Sequence, residues 1–230
     1  GDVDHDGDMD LVVGNFGLNT KYHVDEENPA TLFASDFGDQ GKLQLVEAKC
    51  KDGKLLPIRG RSCSTSAMPH LLKNAPSYNA FASKSLQDLY TPKALDDAIR
   101  LEATTLATTL FRNDGKGHFQ AESLPALSQM APVMDIAIGD FTGDGRVDLA
   151  LGQNFNGAQR ETGRMNAGLG VILEGSENGV FKELWPLESG FGQREDLRNL
   201  EAVDLNGDGV LDLISGNNSS QPQLFLGEDH

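Results

Sequence analysis

The chain has 230 residues, with 35 Asp+Glu against 19 Lys+Arg, and its formal net charge is −16. An acidic surface of that size repels phosphate backbones and anionic bilayers, which excludes nucleic acid and membrane as the main partners. With 38% hydrophobic and 23% charged residues the chain reads as globular, and no apolar run approaches the roughly 20 residues of a transmembrane helix.

The chain opens at Gly1-Asp2, inside a motif, so it is expected to be a fragment or processed form of a longer protein. The motif recurs. Asp2-Val-Asp4-His-Asp6-Gly7-Asp8-Met-Asp10-Leu aligns without gaps with Asp140-Phe-Thr142-Gly-Asp144-Gly145-Arg146-Val-Asp148-Leu and with Asp204-Leu-Asn206-Gly-Asp208-Gly209-Val210-Leu-Asp212-Leu. Each copy continues into a short apolar run and a glycine, at Gly14, Gly152 and Gly216. A fixed-period repeat of this kind marks a modular architecture. An eroded copy begins at Asp36. It keeps Gly41 at the sixth place but has Gln40 and Gln44 where the others have acids.

Between the copies, Asp52-Gly53 predicts a two-residue hairpin turn that pairs Cys50 near Leu55. The alternative is a Cys50–Cys63 disulfide, as an oxidising compartment would allow. Residues 64–102 read as helical, with Ser85-Leu86 opening a short helix and Thr91-Pro92 supplying a cap and first turn before Leu95, Ala98 and Ile99. Leu110 to Phe119 reads as a hairpin around Asp114-Gly115. Met134–Ile138, Leu149–Leu151, Val171–Leu173, Val180–Trp185, Asn199–Val203, Leu213-Ile214 and Leu224–Leu226 read as strands, with Trp185 expected in the core.

Oxygen-bearing side chains at alternate positions of a tight loop suit a hard cation that takes six to eight oxygens, and the glycine at position six permits the returning turn. Crowding several carboxylates without a cation is electrostatically unfavourable. Mg²⁺ holds its waters too tightly, and Zn²⁺ lacks its Cys and His ligands, so Ca²⁺ is the expected ion. The EF-hand reading fails: position twelve is Val13, Leu151 or Ser215 rather than Glu, and a strand follows rather than a helix.

The three motifs, with Ile138-Gly139-Asp140-Phe141 and Ala202-Val203-Asp204-Leu205 leading into two of them, resemble FG-GAP/VCBS repeats, the blades of integrin α-like β-propellers. Val13 to Asn19 and Thr109 to Phe119 resemble bacterial relatives of cartilage acidic protein. The resemblance implies an all-β fold, here a partial β-propeller of three to four blades with a helical insertion. The expected blades are 1–27, 28–126 (helical insertion 64–102), 127–190 and 191–230. It further implies one Ca²⁺ per loop, held by Asp2, Asp4, Asp6, Asp8 and Asp10; by Asp140, Thr142, Asp144, Arg146 and Asp148; and by Asp204, Asn206, Asp208, Val210 and Asp212. Positions such as Arg146 and Val210 would offer a backbone carbonyl. The departures at Gln40 and Gln44 put a fourth ion in doubt.

The expected function is a non-catalytic, calcium-binding module for adhesion or ligand binding, extracellular, at a cell surface or in the periplasm. Its partner would be a protein or carbohydrate, and open end strands invite edge-to-edge self-association. The rival is a propeller part of a secreted or periplasmic enzyme such as a polysaccharide lyase or phospholipase. Its pocket wall would come from the helical stretch, through Tyr78, Tyr90, Lys93 and Arg100. His5, His23, His70, His118 and His230 are scattered and read as surface or packing residues. Asn217 and Asn218 form glycosylation sequons with the serines that follow them, and no RGD, P-loop or GxSxG occurs.

Overall fold

The structure, a computed structural model, describes residues 1–160 and 162–228. In chain order, the first strands are β1 (Leu11–Val13), β2 (Ala30–Ser35), β3 (Gln44–Lys51) and β4 (Lys54–Pro57). Five short helices follow: α1 (Arg61–Ala67), α2 (Leu71–Asn74), α3 (Tyr78–Ala82), α4 (Leu86–Tyr90) and α5 (Pro92–Asp96). Next come β5 (Ile99–Ala103), β6 (Thr109–Asn113), β7 (Phe119–Ser123), β8 (Val133–Gly139), β9 (Asp148–Gln153), β10 (Val171–Gly175) and β11 (Phe181–Leu184). The last elements are α6 (Pro186–Ser189), β12 (Leu197–Val203), β13 (Asp212–Asn217) and β14 (Gln223–Phe225). They form four antiparallel sheets and, among the described residues, no closed barrel.

The chain divides into two compact units, Gly1–Thr20 with Leu106–His230, and Lys21–Thr105. The first unit holds the sheets β1-β6-β7, β11-β10-β9-β8 and β12-β13-β14. In the middle sheet, β9 is buried along its whole length, and its alternation feeds two cores. Leu149 and Leu151 pack with Val3, Leu110, Val171 and Leu173 on one side. Ala150 packs with Ile172, Leu197 and Leu213 on the other. The glycines that end the first two motifs have a packing reason. A Cβ on Gly14 would strike Val133, and one on Gly152 would strike Leu197, the first residues of the strands that begin the neighbouring sheets.

The second unit is the sheet β4-β3-β2-β5 with its helices packed on Phe33, Val46 and Ala48. The Asp52-Gly53 turn forms as expected, with φ of 52° and 69°, and sets Cys50 opposite Leu55. Both thiols are free. Ser85 and Asp88 make a reciprocal capping box on α4, and Thr91 caps α5 with Pro92 in the first turn.

Three expectations are corrected by this arrangement. Strand β1 pairs with β6, Leu11 opposite Phe111, so the sheet closes across the expected boundary between 1–27 and 28–126. The helical stretch ends earlier than expected: the last helix stops at Asp96, and Ile99–Ala103, read as helical, is strand β5 paired with β2. The compact unit that holds the helices, Lys21–Thr105, brings its own four-stranded sheet. Trp185 is not a core residue. It sits at the N-cap of α6, 52% exposed, because strand β11 ends at Leu184 and Pro186 turns the chain outward. His5, His23 and His118 are exposed and His70 is half-buried; His230 lies outside the described residues.

Candidate metal centre

All four motif copies fold as tight loops, and the three in the first unit lead into β1, β9 and β13. Their first aspartate organises the turn through its own backbone. Asp140 Oδ1 accepts from the N–H groups of Gly143 and Asp144, and Oδ2 from Gly145 at 2.8 Å. Asp204 repeats this with Gly207, Asp208 and Gly209. The eroded loop keeps the same device: Asp36 accepts from Gly38, Gln40 and Gly41, and these N–H donors hold its carboxyl below the usual range. What survives in that copy is turn chemistry, which needs only the first Asp and the glycine.

The ninth aspartate does a different job, and it does it three times. Asp10 accepts from Val3 N–H through Oδ2 and from Asn113 N–H through Oδ1. Asp148 accepts from Phe141 and Thr142 N–H and the Thr142 hydroxyl through Oδ2, and from Gly175 N–H through Oδ1 at 2.8 Å. Asp212 accepts from Leu205 and Gly227 N–H, each at 2.9 Å. Each carboxylate thus pins the start of its loop to the far end of the next strand in its sheet. Asp148 and Asp212 have no solvent exposure, and burial pushes the Asp148 carboxyl up against the lowering effect of those donors.

The loops differ in which carboxylates come together. In the first, Asp2, Asp4 and Asp10 each place an oxygen within 4.8 Å of the others; no other group of three or more His, Cys, Asp or Glu does so among the described residues. Asp2 Oδ2 accepts from Gly7 N–H and Asp4 Oδ2 from Arg112 Nη1 at 3.2 Å, while Asp2 Oδ1 and Asp4 Oδ1 are buried with no hydrogen-bond donor. Two buried, unpartnered carboxylate oxygens beside a third carboxylate fit a hard cation. Asp6 accepts from Asp8 N–H and stands outside this group, as does Asp8.

In the second loop, Asp144 accepts from Arg146 N–H and pairs with the Arg146 guanidinium, whose Nε donates to Gly175 O. In the third, Asn206 Nδ2 donates to Asp208 Oδ2 at 2.6 Å, and Asp208 Oδ1 accepts from Val210 N–H. Their oxygens are engaged within the loop.

The structure adds four participants the motif scan did not reach. Arg112, at 20% side-chain exposure, joins Asp4, Glu122 and Gly179 O. Asn113, Gly175 and Gly227 present the N–H groups that hold the ninth aspartates. The signal for the latter was a Gly or Asn at or just beyond the end of the strand next to the motif's own. Gly115 in the following loop has φ +66°, and a Cβ there would run into the Asp8 carboxylate. Gly115→Ala is therefore expected to destabilise the unit by about 1–2 kcal/mol, read by urea unfolding.

The four residues considered as an enzyme wall have partners within the inserted unit. Tyr90 is in the core of the inserted unit, its phenol pushed up to about 12 by burial. Tyr78 meets Ser62 and the Arg61 guanidinium, Lys93 pairs with Asp97, and Arg100 with Glu102.

No helix among the described residues is long and apolar enough to cross a membrane. No curated protein matches the chain. Residues 98–151, from β5 through the second acidic loop into β9, match the family model of the FG-GAP-like repeat. That match places an FG-GAP-like repeat within residues 98–151, and the chain resembles FG-GAP repeat proteins in its acidic loops and antiparallel sheets.

Proposed function

We propose that the first unit is a non-catalytic, β-propeller-like module whose first loop holds a structural Ca²⁺ through Asp2, Asp4 and Asp10. The observation that carries this reading is the pair of buried, donor-free oxygens on Asp2 and Asp4 beside Asp10. A bound cation would offset the repulsion among these carboxylates and tie the loop to β6 through Asp10 and Asn113. The second and third loops would bind more weakly, because a cation there has to displace hydrogen bonds and the Arg146 pair already made to their ligands. As a module it would serve adhesion or ligand recognition outside the cytoplasm, where calcium is abundant enough for sites of about 10⁻⁴–10⁻³ M. Strand β7, exposed along its length at a sheet edge, is where a second copy would pair.

The test is thermal unfolding after exhaustive chelation, with Ca²⁺ or Mg²⁺ added back. Calcium at about a hundred times its Kd should raise the unfolding temperature by about 5–10 °C and magnesium should not. No rise, or an equal magnesium effect, would overturn the reading.

A further inference from the structure

The inserted unit, Lys21–Thr105, differs from the rest of the chain in charge. It carries eleven Lys/Arg and eleven Asp/Glu, so the whole net charge of −16 falls on the other unit. Within it lies a cavity of about 210 Å³ lined by Lys21, His23, Lys49 and Lys51. Strand alternation puts Lys49 and Lys51 on one face of β3. Ala30 pairs with Lys49, and this brings the segment leading into β2, with Lys21 and His23, to the same end of the sheet.

Among the described residues, none of these four side chains is in a salt bridge, whereas Arg59, Lys93, Arg100, Arg112, Arg146, Lys182 and Arg198 each hold a carboxylate. The carboxylate on the same face of β3, Glu47, is taken by Arg59 at 2.9 Å. Three lysines line one cavity, with Asp25, Glu26 and Glu27 in the loop between His23 and Pro29, and the positive charge of the lysines favours an anion within it. Lysine is a compact point charge with three rotatable donors, lacking the planar fork that arginine offers to carboxylates. Several lysines from different directions suit the separated oxygens of a tetrahedral oxyanion. Tyr22, which carries Lys21 Nζ 5.5 Å from its ring centroid, together with Val24 and Pro29 supplies an apolar wall.

We infer that this cavity binds a small organic ester of a tetrahedral oxyanion, sulfate or phosphate, with Lys21, Lys49 and Lys51 on the oxyanion, His23 as a further donor, and the organic part against Tyr22. The inference does not depend on calcium binding by the other unit.

The experiment is an amide chemical-shift titration of the full chain with glucose 6-phosphate and with galactose 6-sulfate, with glucose and sodium acetate at matched ionic strength as controls. Saturable shifts confined to residues 21–24, 30 and 49–51 are expected with at least one ester, and which ester is tighter distinguishes the two sources of the oxyanion. Lys49→Gln with Lys51→Gln should weaken binding about tenfold or more without lowering the unfolding temperature, since both positions are exposed. Should that double variant misfold, Lys21→Gln in the preceding loop reads the same loss. No saturable shift with either ester, acetate matching the esters, or undiminished binding by the variants would overturn the proposal.

Discussion

Replacing Asp2 and Asp4 together by asparagine should abolish most of the calcium-dependent rise in unfolding temperature and leave the calcium-free protein as stable as the parent, or more so. The two substitutions keep every backbone bond the loop needs: an asparagine at position 2 still accepts from Gly7 N–H, and Arg112 retains Glu122 and Gly179 O when Asp4 loses its charge. What they remove is the repulsion between two half-buried carboxylates and, with it, the affinity for a cation. The calcium increment should fall from about 5–10 °C to about 2 °C or less. The same exchange at Asp204 and Asp208 should take away a smaller share, because those oxygens are already occupied by Asn206 and by backbone N–H groups of their own loop. Differential scanning calorimetry with and without calcium reads both. An undiminished increment in the Asp2/Asp4 variant would place the ion elsewhere.

Asp148→Ala should be severe whether or not calcium is present. The wild-type carboxylate, wholly buried, takes three backbone N–H groups and a hydroxyl from Phe141, Thr142 and Gly175. Alanine leaves the buried Gly175 N–H and the three part-buried donors of Phe141 and Thr142 without this acceptor. The cost is up to about 1–3 kcal/mol for a buried unsatisfied group, less for those that reach water, and less than additive. A loss of about 3 kcal/mol or more, equivalent to about 6–12 °C, is expected from urea or thermal unfolding. Asp148→Asn, which keeps one acceptor oxygen and adds no volume, should lose less than half as much. If the two variants are equally mild in calcium-free buffer, the hydrogen-bonded staple is not what holds this loop to β10.

These two predictions separate roles that the repeat presents as one. In D-x-[DNT]-x-D-G-x-x-D all the acids look like ligands. Folded, the first position shapes the turn, the ninth pins one strand to another, and within the three full motifs the buried oxygens without a donor are those of Asp2 and Asp4. The eroded copy makes the same point from the opposite direction: Asp36 and Gly41 persist with a competent turn although Gln40 and Gln44 have replaced two acids.

Local chemistry was legible from the residues alone. The Asp52-Gly53 hairpin with Cys50 opposite Leu55, the capping box at Ser85, the Thr91-Pro92 helix start and the strands from Val133 to Phe225 each depend on a few neighbouring side chains and one backbone preference. So does the acidic loop, whose hydrogen bonds mostly span two to five residues. The repeat itself, three times over, pointed to the family that the match at residues 98–151 supports.

Tertiary structure decided the rest. Strand β1 finds β6 nearly a hundred residues away, and nothing in a three-residue apolar run names its partner; the choice follows from which sheet edges and cores remain open once the inserted unit has closed on itself. Trp185 lies outside because a proline redirects the chain, and Arg112 reaches Asp4 because β6 lies beside β1. The gathering of Asp2, Asp4 and Asp10, and of Lys21 with Lys49 and Lys51, belongs to the same class. Spacing along the chain sets which way a side chain points on its own element, while the charge it meets across a loop or a sheet is set by packing.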